Sequence, residues 1–137
     1  MSVPAGKILL SIVTPERKIL EETVDELVLP GSEGYLGILP GHAPLLSALK
    51  VGELTYREGA KWSVCFVAWG FAEILADRVS VLADIGERSA DIDQYRARAA
   101  KERAEKRLKA GGPDVDWDRA RVSLERAVTR IQVSGRK

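Results

Sequence analysis

The feature that most restricts this chain is an abrupt change of vocabulary at Glu87. Before it, Gly, Pro or Asp interrupts the sequence every few residues and the apolar residues run in pairs or alternate, which is how short strands are written. After it come Ala, Arg, Glu and Lys, residues that cost a helix little, with neither Gly nor Pro over 92–109. One layer of structure cannot satisfy both patterns. The pattern predicts an α+β chain: a β-sandwich or barrel over residues 1–87, then an antiparallel two-helix hairpin over 88–137. Strands are expected near 7–14, 18–21, 24–29, 35–39, 45–49, 51–57, 62–69, 71–76 and 79–83. Glu58-Gly59-Ala60-Lys61 and Ala76-Asp77-Arg78 close hairpins between them.

Charge divides at the same place. Residues 1–87 hold seven Lys/Arg against twelve Asp/Glu, and residues 88–137 hold fourteen against eight. An acidic body therefore carries a basic tail, although the whole chain is only +1. A near-neutral chain whose basic tail interleaves acids with bases, and carries only Tyr95 and Trp117 as aromatics, does not read as a nucleic-acid module. The N-terminus shows no export pattern, so a cytoplasmic location is expected. The longest uncharged run, near residues 64–72, is far shorter than the roughly 20 residues of a membrane-crossing helix; any membrane association has to come through a partner.

Catalytic chemistry is poorly provided for. Nucleophile, base and metal sites need clustered His, Cys, Asp or Glu, and the chain has one His and one Cys. Cys65 lies in the apolar run Val64-Cys65-Phe66-Val67 and reads as a small buried thiol. The glycines of Pro30-Gly31-Ser32-Glu33-Gly34-Tyr35-Leu36-Gly37 invite comparison with a phosphate loop, but the Gly-Lys-Ser/Thr ending and the following helix are missing. They read as turns and strand corners. No active site and no metal site are expected.

The hairpin carries the sharper question. Asp91 is the expected cap of the first helix, over 92–109; Gly111-Gly112-Pro113-Asp114 ends it, and Asp114 or Asp116 caps a second helix reaching about Val133. Its apolar positions are Trp117, Ala120, Leu124, Ala127 or Val128, and Ile131, facing Ala97, Ala100, Ala104 and Leu108. A seam of methyl groups contributes only a few kcal/mol at roughly 25 cal/mol per Å², about what ordering the helices costs. The hairpin should hold only with help from the β domain, a ligand or a partner. If it turns near residue 112, Arg96 lies level with about Arg126 and Arg103 with about Arg119. Four arginines at matched heights suit a polyphosphate, whose oxygens guanidinium forks hold in pairs. They equally suit a solvated surface neutralised by Glu102, Glu105 and Glu125. Two-helix packing on the Trp117/Leu124 stripe would leave Arg119 and Arg126 facing outward.

Taken together, Val13-Thr14-Pro15, Gly34-Tyr35-Leu36-Gly37-Ile38-Leu39-Pro40-Gly41-His42-Ala43-Pro44-Leu45, Gly70-Phe71-Ala72-Glu73, Val79-Ser80-Val81-Leu82-Ala83 and the Ala/Arg-rich tail resemble the ε-subunit family of bacterial F-type ATP synthases, called δ in mitochondria. The family often has Glu where this chain has Tyr35. The resemblance implies a sandwich of about ten strands, bound to the γ subunit and seated on the membrane c-ring through the region of Tyr35, Gly37, Leu39 and His42. It implies a peripheral position at the cytoplasmic face of the cell membrane, and helices that fold down on the sandwich or extend toward the β and α subunits of the catalytic head, where they inhibit ATP hydrolysis. Ile92-Asp93-Gln94-Tyr95-Arg96-Ala97 also matches the Ile/Leu-Asp-x-x-Arg-Ala motif of the members that bind ATP in the folded-down state. By position, Glu87, Ile92 and Asp93 would then face the adenine, and Arg96, Arg103 and Arg126 the phosphates, with Arg130 auxiliary. ATP would be a regulatory ligand needing no metal.

Overall fold

The computed structural model describes residues 3–136. Eight strands come first: β1 (Ile8–Val13), β2 (Lys18–Val24), β3 (Glu26–Gly31), β4 (Gly34–Ile38), β5 (Leu45–Ala48), β6 (Gly52–Glu58), β7 (Lys61–Ile74) and β8 (Arg78–Arg88). A 3-10 turn at Ser89–Asp91 leads into α1 (Gln94–Ala110) and α2 (Trp117–Ser134).

The strands form two layers because β7 and β8 are long enough to serve in both. The first half of β7 pairs with β6 from Lys61 to Val67, and its second half pairs with β5 from Phe71 to Ile74. Likewise β8 pairs with β1 over Arg78–Leu82 and then follows β7 as far as Arg88. Counted by layer, β2-β1-β8-β7-β5 and β4-β3-β6-β7-β8 give five segments each, which is how eight strands make the expected sandwich of about ten.

The bend in β7 falls at Trp69-Gly70. Trp69 has φ 54° and Gly70 φ 102°, a backbone that side chains resist. A Cβ on Gly70 would lie 2.0 Å from the carbonyl oxygen of Leu82. The apparent break between strands near 62–69 and 71–76 is therefore the corner of one strand. The stretch from Asp84 to Arg88, expected to lie beyond the last strand, continues β8 across to the second layer.

Alternation does the rest. Ile8, Leu10 and Ile12 point inward from β1 while their neighbours stay half-buried, and they meet Leu27, Leu29, Leu54, Val67, Ile74, Val79 and Val81 in one core. A smaller apolar cluster lies outside the second layer. Val51, Val64, Phe66 and Ala68 form its floor, and Ile92 with Val133 of α2 closes it. This second cluster places the hairpin against the sandwich.

The first helix begins two residues later than expected. Ile92 is extended and 7% exposed, committed to the outer cluster, so the cap is Asp93, whose carboxylate accepts the Arg96 N–H at 3.1 Å. Asp116 caps α2 in the same manner, at 3.0 Å from the Arg119 nitrogen.

Candidate nucleotide-binding groove

The two helices meet through their smallest side chains. Ala97 and Ala104 of α1 and Ala120 and Ala127 of α2 are 1–4% exposed, so the backbones approach closely and the long side chains on either flank must splay aside. The turn runs from Gly111 to Asp116, longer than a turn centred on residue 112. That shifts the partners: the Gln94 amide donates to the Ser134 carbonyl at 3.5 Å, and Arg103 shares a cavity with Arg126, not Arg119. Arg119 lines a separate hollow with Arg107, Asp114 and Asp116. Trp117 is 49% exposed and leaves the seam to lie over Gly111.

Arg126 points inward because three bodies pack here, not two. With Ala120 and Ala127 turned to α1 and Val133 to the sheet, the face of α2 between them carries Arg126 and Arg130. The Arg126 guanidinium carbon sits 5.5 Å from the Trp69 ring centroid, and that of Arg130 sits 4.7 Å from that of Phe66, cation–π contacts of the kind that orient a guanidinium plane. Arg130 also donates through Nε to Glu87 at 2.6 Å.

The result is a groove of two adjoining lobes. Glu87, Asp93, Arg96, Ala97, Ala100, Arg103 and Arg130 line the outer one, of about 280 Å³. The inner one, of about 210 Å³, shares Ala100, Arg103 and Arg130 and adds Ala104, Arg107, Ser123, Arg126 and Ala127. The outer lobe mixes acids with bases; the inner has four arginines and, among the described residues, no carboxylate. Glu87 offsets Arg130, whereas Arg103, Arg107 and Arg126 have, among the described residues, no acid beside them in the inner lobe, and like charges gathered at a cavity suit an anion between them.

Of the residues expected to face a nucleotide, Glu87, Asp93, Arg96, Arg103 and Arg130 line the outer lobe, and Arg126 joins Arg103 and Arg130 in the inner one. Ile92 lines neither; it lies buried in the cluster beneath. Arg107 and Ser123 were not foreseen. Arg107 is one helical turn beyond Arg103 and hence on the same face, a spacing visible in the sequence.

The loop residues lie elsewhere, along β4 and the turn after it. Tyr35 and Leu39 are 54% and 58% exposed, Gly37 is exposed, and His42 is half-buried with Nδ1 2.6 Å from the Ala43 carbonyl. Glycine gives the turn its shape: Gly41 has φ 86° and donates its N–H to the Ala76 carbonyl at 2.8 Å. Elsewhere, burial pushes the Cys65 thiol up to about 12, consistent with an inert core residue. Among the described residues no group of three or more His, Cys, Asp or Glu could hold a metal ion.

Comparison with known proteins supplies the lineage. The family model described as "ATP synthase, Delta/Epsilon chain, beta-sandwich domain" matches residues 7–89, and that for the "long alpha-helix domain" of the same chain matches 90–135. The chain belongs to the ATP synthase delta/epsilon family. It is 54% identical over 104 residues to the ATP synthase epsilon chain of Syntrophobacter fumaroxidans, covering 76% of this chain and 78% of that one. It is 47% identical over 103 residues to the epsilon chain of Koribacter versatilis, with coverage of 75% and 72%. Among solved structures, a chain of the Euglena gracilis mitochondrial ATP synthase shares its fold, with a TM-score of 0.78 at 23% identity over 94% of this chain and 81% of that one. As a member of this family the protein is a non-catalytic stalk subunit of ATP synthase. No helix among its described residues is long and apolar enough to cross a membrane.

Proposed function

We propose that this subunit joins γ to the membrane c-ring, restrains ATP hydrolysis through its two C-terminal helices, and is held in the folded-down state by ATP. The observation that carries the reading is the inner lobe, where α1 and α2 bring Arg103, Arg107, Arg126 and Arg130 around one cavity. Those four groups converge only while the helices are packed together on the sandwich. A ligand that needs all of them binds that state alone, and shifts the population by its differential affinity for it. The mixed outer lobe, with Glu87 and Asp93 offering acceptors to an amino group or a sugar hydroxyl, suits the nucleoside end; the arginines take the phosphates without a metal. When ATP falls, repulsion in the empty lobe and the thin seam favour release, and the basic helices reach the β and α subunits of the head.

The body offers surfaces for the other partners. Ala48, Phe71, Leu82 and Val13 form one cross-strand row on the outside of the first layer, with Phe71 and Leu82 55% and 58% exposed. We assign that apolar row to γ and the Tyr35, Gly37, Leu39 and His42 edge to the ring, placing the subunit peripherally at the cytoplasmic face.

Calorimetric titration of the full chain with ATP tests the nucleotide site. Asp93→Ala combined with Arg96→Ala should abolish the heat of binding, and unchanged affinity would sink the assignment. In the reassembled complex, truncation after Asp91 should keep γ binding and release hydrolysis from inhibition.

A further inference from the structure

The folded hairpin is fastened to the body mainly at one end. α1 packs against α2, and it is α2 that reaches β6, β7 and the 3-10 turn. Its one fully buried anchor is Val133, in the last turn, set among Val51, Val64, Phe66 and Ala68. Just beyond it, Gly135 caps the helix by donating its N–H to the Ile131 carbonyl, and the Arg136 side chain turns onto the carboxylate of Glu53 in β6.

Glu53 is held from its other side too. Its backbone N–H donates to the phenolic oxygen of Tyr35 at 3.3 Å. Tyr35 can reach across only because position 52 is glycine: a Cβ there would lie 2.9 Å from the phenolic oxygen and 2.6 Å from Pro30 Cβ. Lys50 Nζ, 5.3 Å from the centroid of the Tyr35 ring, steadies the ring from its face. One residue thus has the edge strand β4 on its backbone and the end of α2 on its carboxylate. Only 20% of the Glu53 side chain is exposed, against 53% of the Arg136 side chain, so the carboxylate is the fixed partner and the arginine the one that leaves.

We propose that Glu53 is a two-sided latch through which the exposed edge of β4 controls how firmly the hairpin is docked. A partner that draws Tyr35 off Gly52 frees the Glu53 backbone, and the carboxylate loses its alignment with Arg136. Val133 in the outer cluster, Arg130 on Glu87 and Phe66, and Arg126 on Trp69 are then what still fasten the hairpin. Coupling of this kind is reciprocal: docking the hairpin must hold Tyr35 against Gly52 to the same degree. The proposal rests on the preceding reading only in taking the hairpin to be detachable and the β4 edge to face a partner.

Amide hydrogen exchange on the full chain without nucleotide tests it. Glu53→Gln and Arg136→Ala should each speed exchange in α2 about threefold, the scale of a part-exposed ion pair, with the β7 and β8 amides unchanged. Glu53→Arg combined with Arg136→Glu should restore the original rate. Tyr35→Phe, which keeps the ring and removes the acceptor, should speed the same α2 amides and add nothing to Arg136→Ala. Wild-type exchange in Glu53→Gln, or effects of Tyr35→Phe and Arg136→Ala that multiply independently, overturns the latch. Nucleotide is absent throughout, so failure here leaves the ATP titration standing, and failure of that titration leaves the latch standing.

Discussion

The β body and the helical hairpin place their bulk in opposite positions. In the body, branched and aromatic side chains fill the space between two layers, with Leu27, Leu29, Leu54 and Ile74 fully buried. In the hairpin the interface is methyl groups, and the long side chains are arginines arranged around a groove. Burying an aliphatic side chain contributes about 1.5–3 kcal/mol, so the first arrangement is stable alone. The second buries less apolar area and, on the reading proposed above, depends on something that neutralises its charge or holds its end. The pairing teaches that an interface can be thinned by composition, without loops or strain, by giving it alanine where a core would have leucine.

The largest effect that would break this contrast lies in the body. Gly70→Ala sets a methyl against the Leu82 carbonyl at a positive φ, and should cost on the order of 3–5 kcal/mol, read as a large drop in the urea midpoint of the whole chain. A midpoint within experimental error of wild type would show that β7 does not need its corner. Next comes the seam. Ala104→Leu overfills a position 1% exposed and should cost the packed hairpin about 1–3 kcal/mol. ATP affinity should fall about tenfold or more while the melting of the body stays where it was; loss of both together would mean that the two regions are one cooperative unit.

The smallest effect concerns pH. Hydrogen bonds from Lys7 and from the Gly59 N–H hold the Asp25 carboxyl below the usual aspartate value. A lowered folded-state value adds stability that is present above the unfolded aspartate's pKa, near 3.8, and is lost as pH falls through the folded one. Asp25→Asn should therefore lower the melting temperature slightly at pH 7, and the gap from wild type should close below pH 4. A gap that stays constant through the acid range would remove the carboxylate from the account.

Much of this was legible in the residues. The change at Glu87 separated strands from helices and alanines at helical spacing marked the seam; the Ile92 to Ala97 motif spoke only through the family resemblance, and of its residues Asp93, Arg96 and Ala97 line the groove. What could not be read were relations that arise when a third body joins. Arg126 faces outward in any two-helix packing drawn on the Trp117/Leu124 stripe; it turns inward because Val133 fixes α2 against β6 and β7. Ile92 reads as a helix residue until the outer cluster claims it and moves the cap to Asp93. The corner at Trp69-Gly70 looks like a gap between strands, because local sequence reports the bend and not the pairing that continues past it.

Cys65 gives the molecule a stopwatch. The chain has no other cysteine, and this one is 1% exposed in the core that both layers share. A thiol reagent can reach it only when the body opens, so its labelling rate counts those openings against a silent background. A second cysteine placed on the exposed face of α1 would count departures of the hairpin in the same tube, and the ratio of the two clocks would measure how independently the parts of one small subunit move.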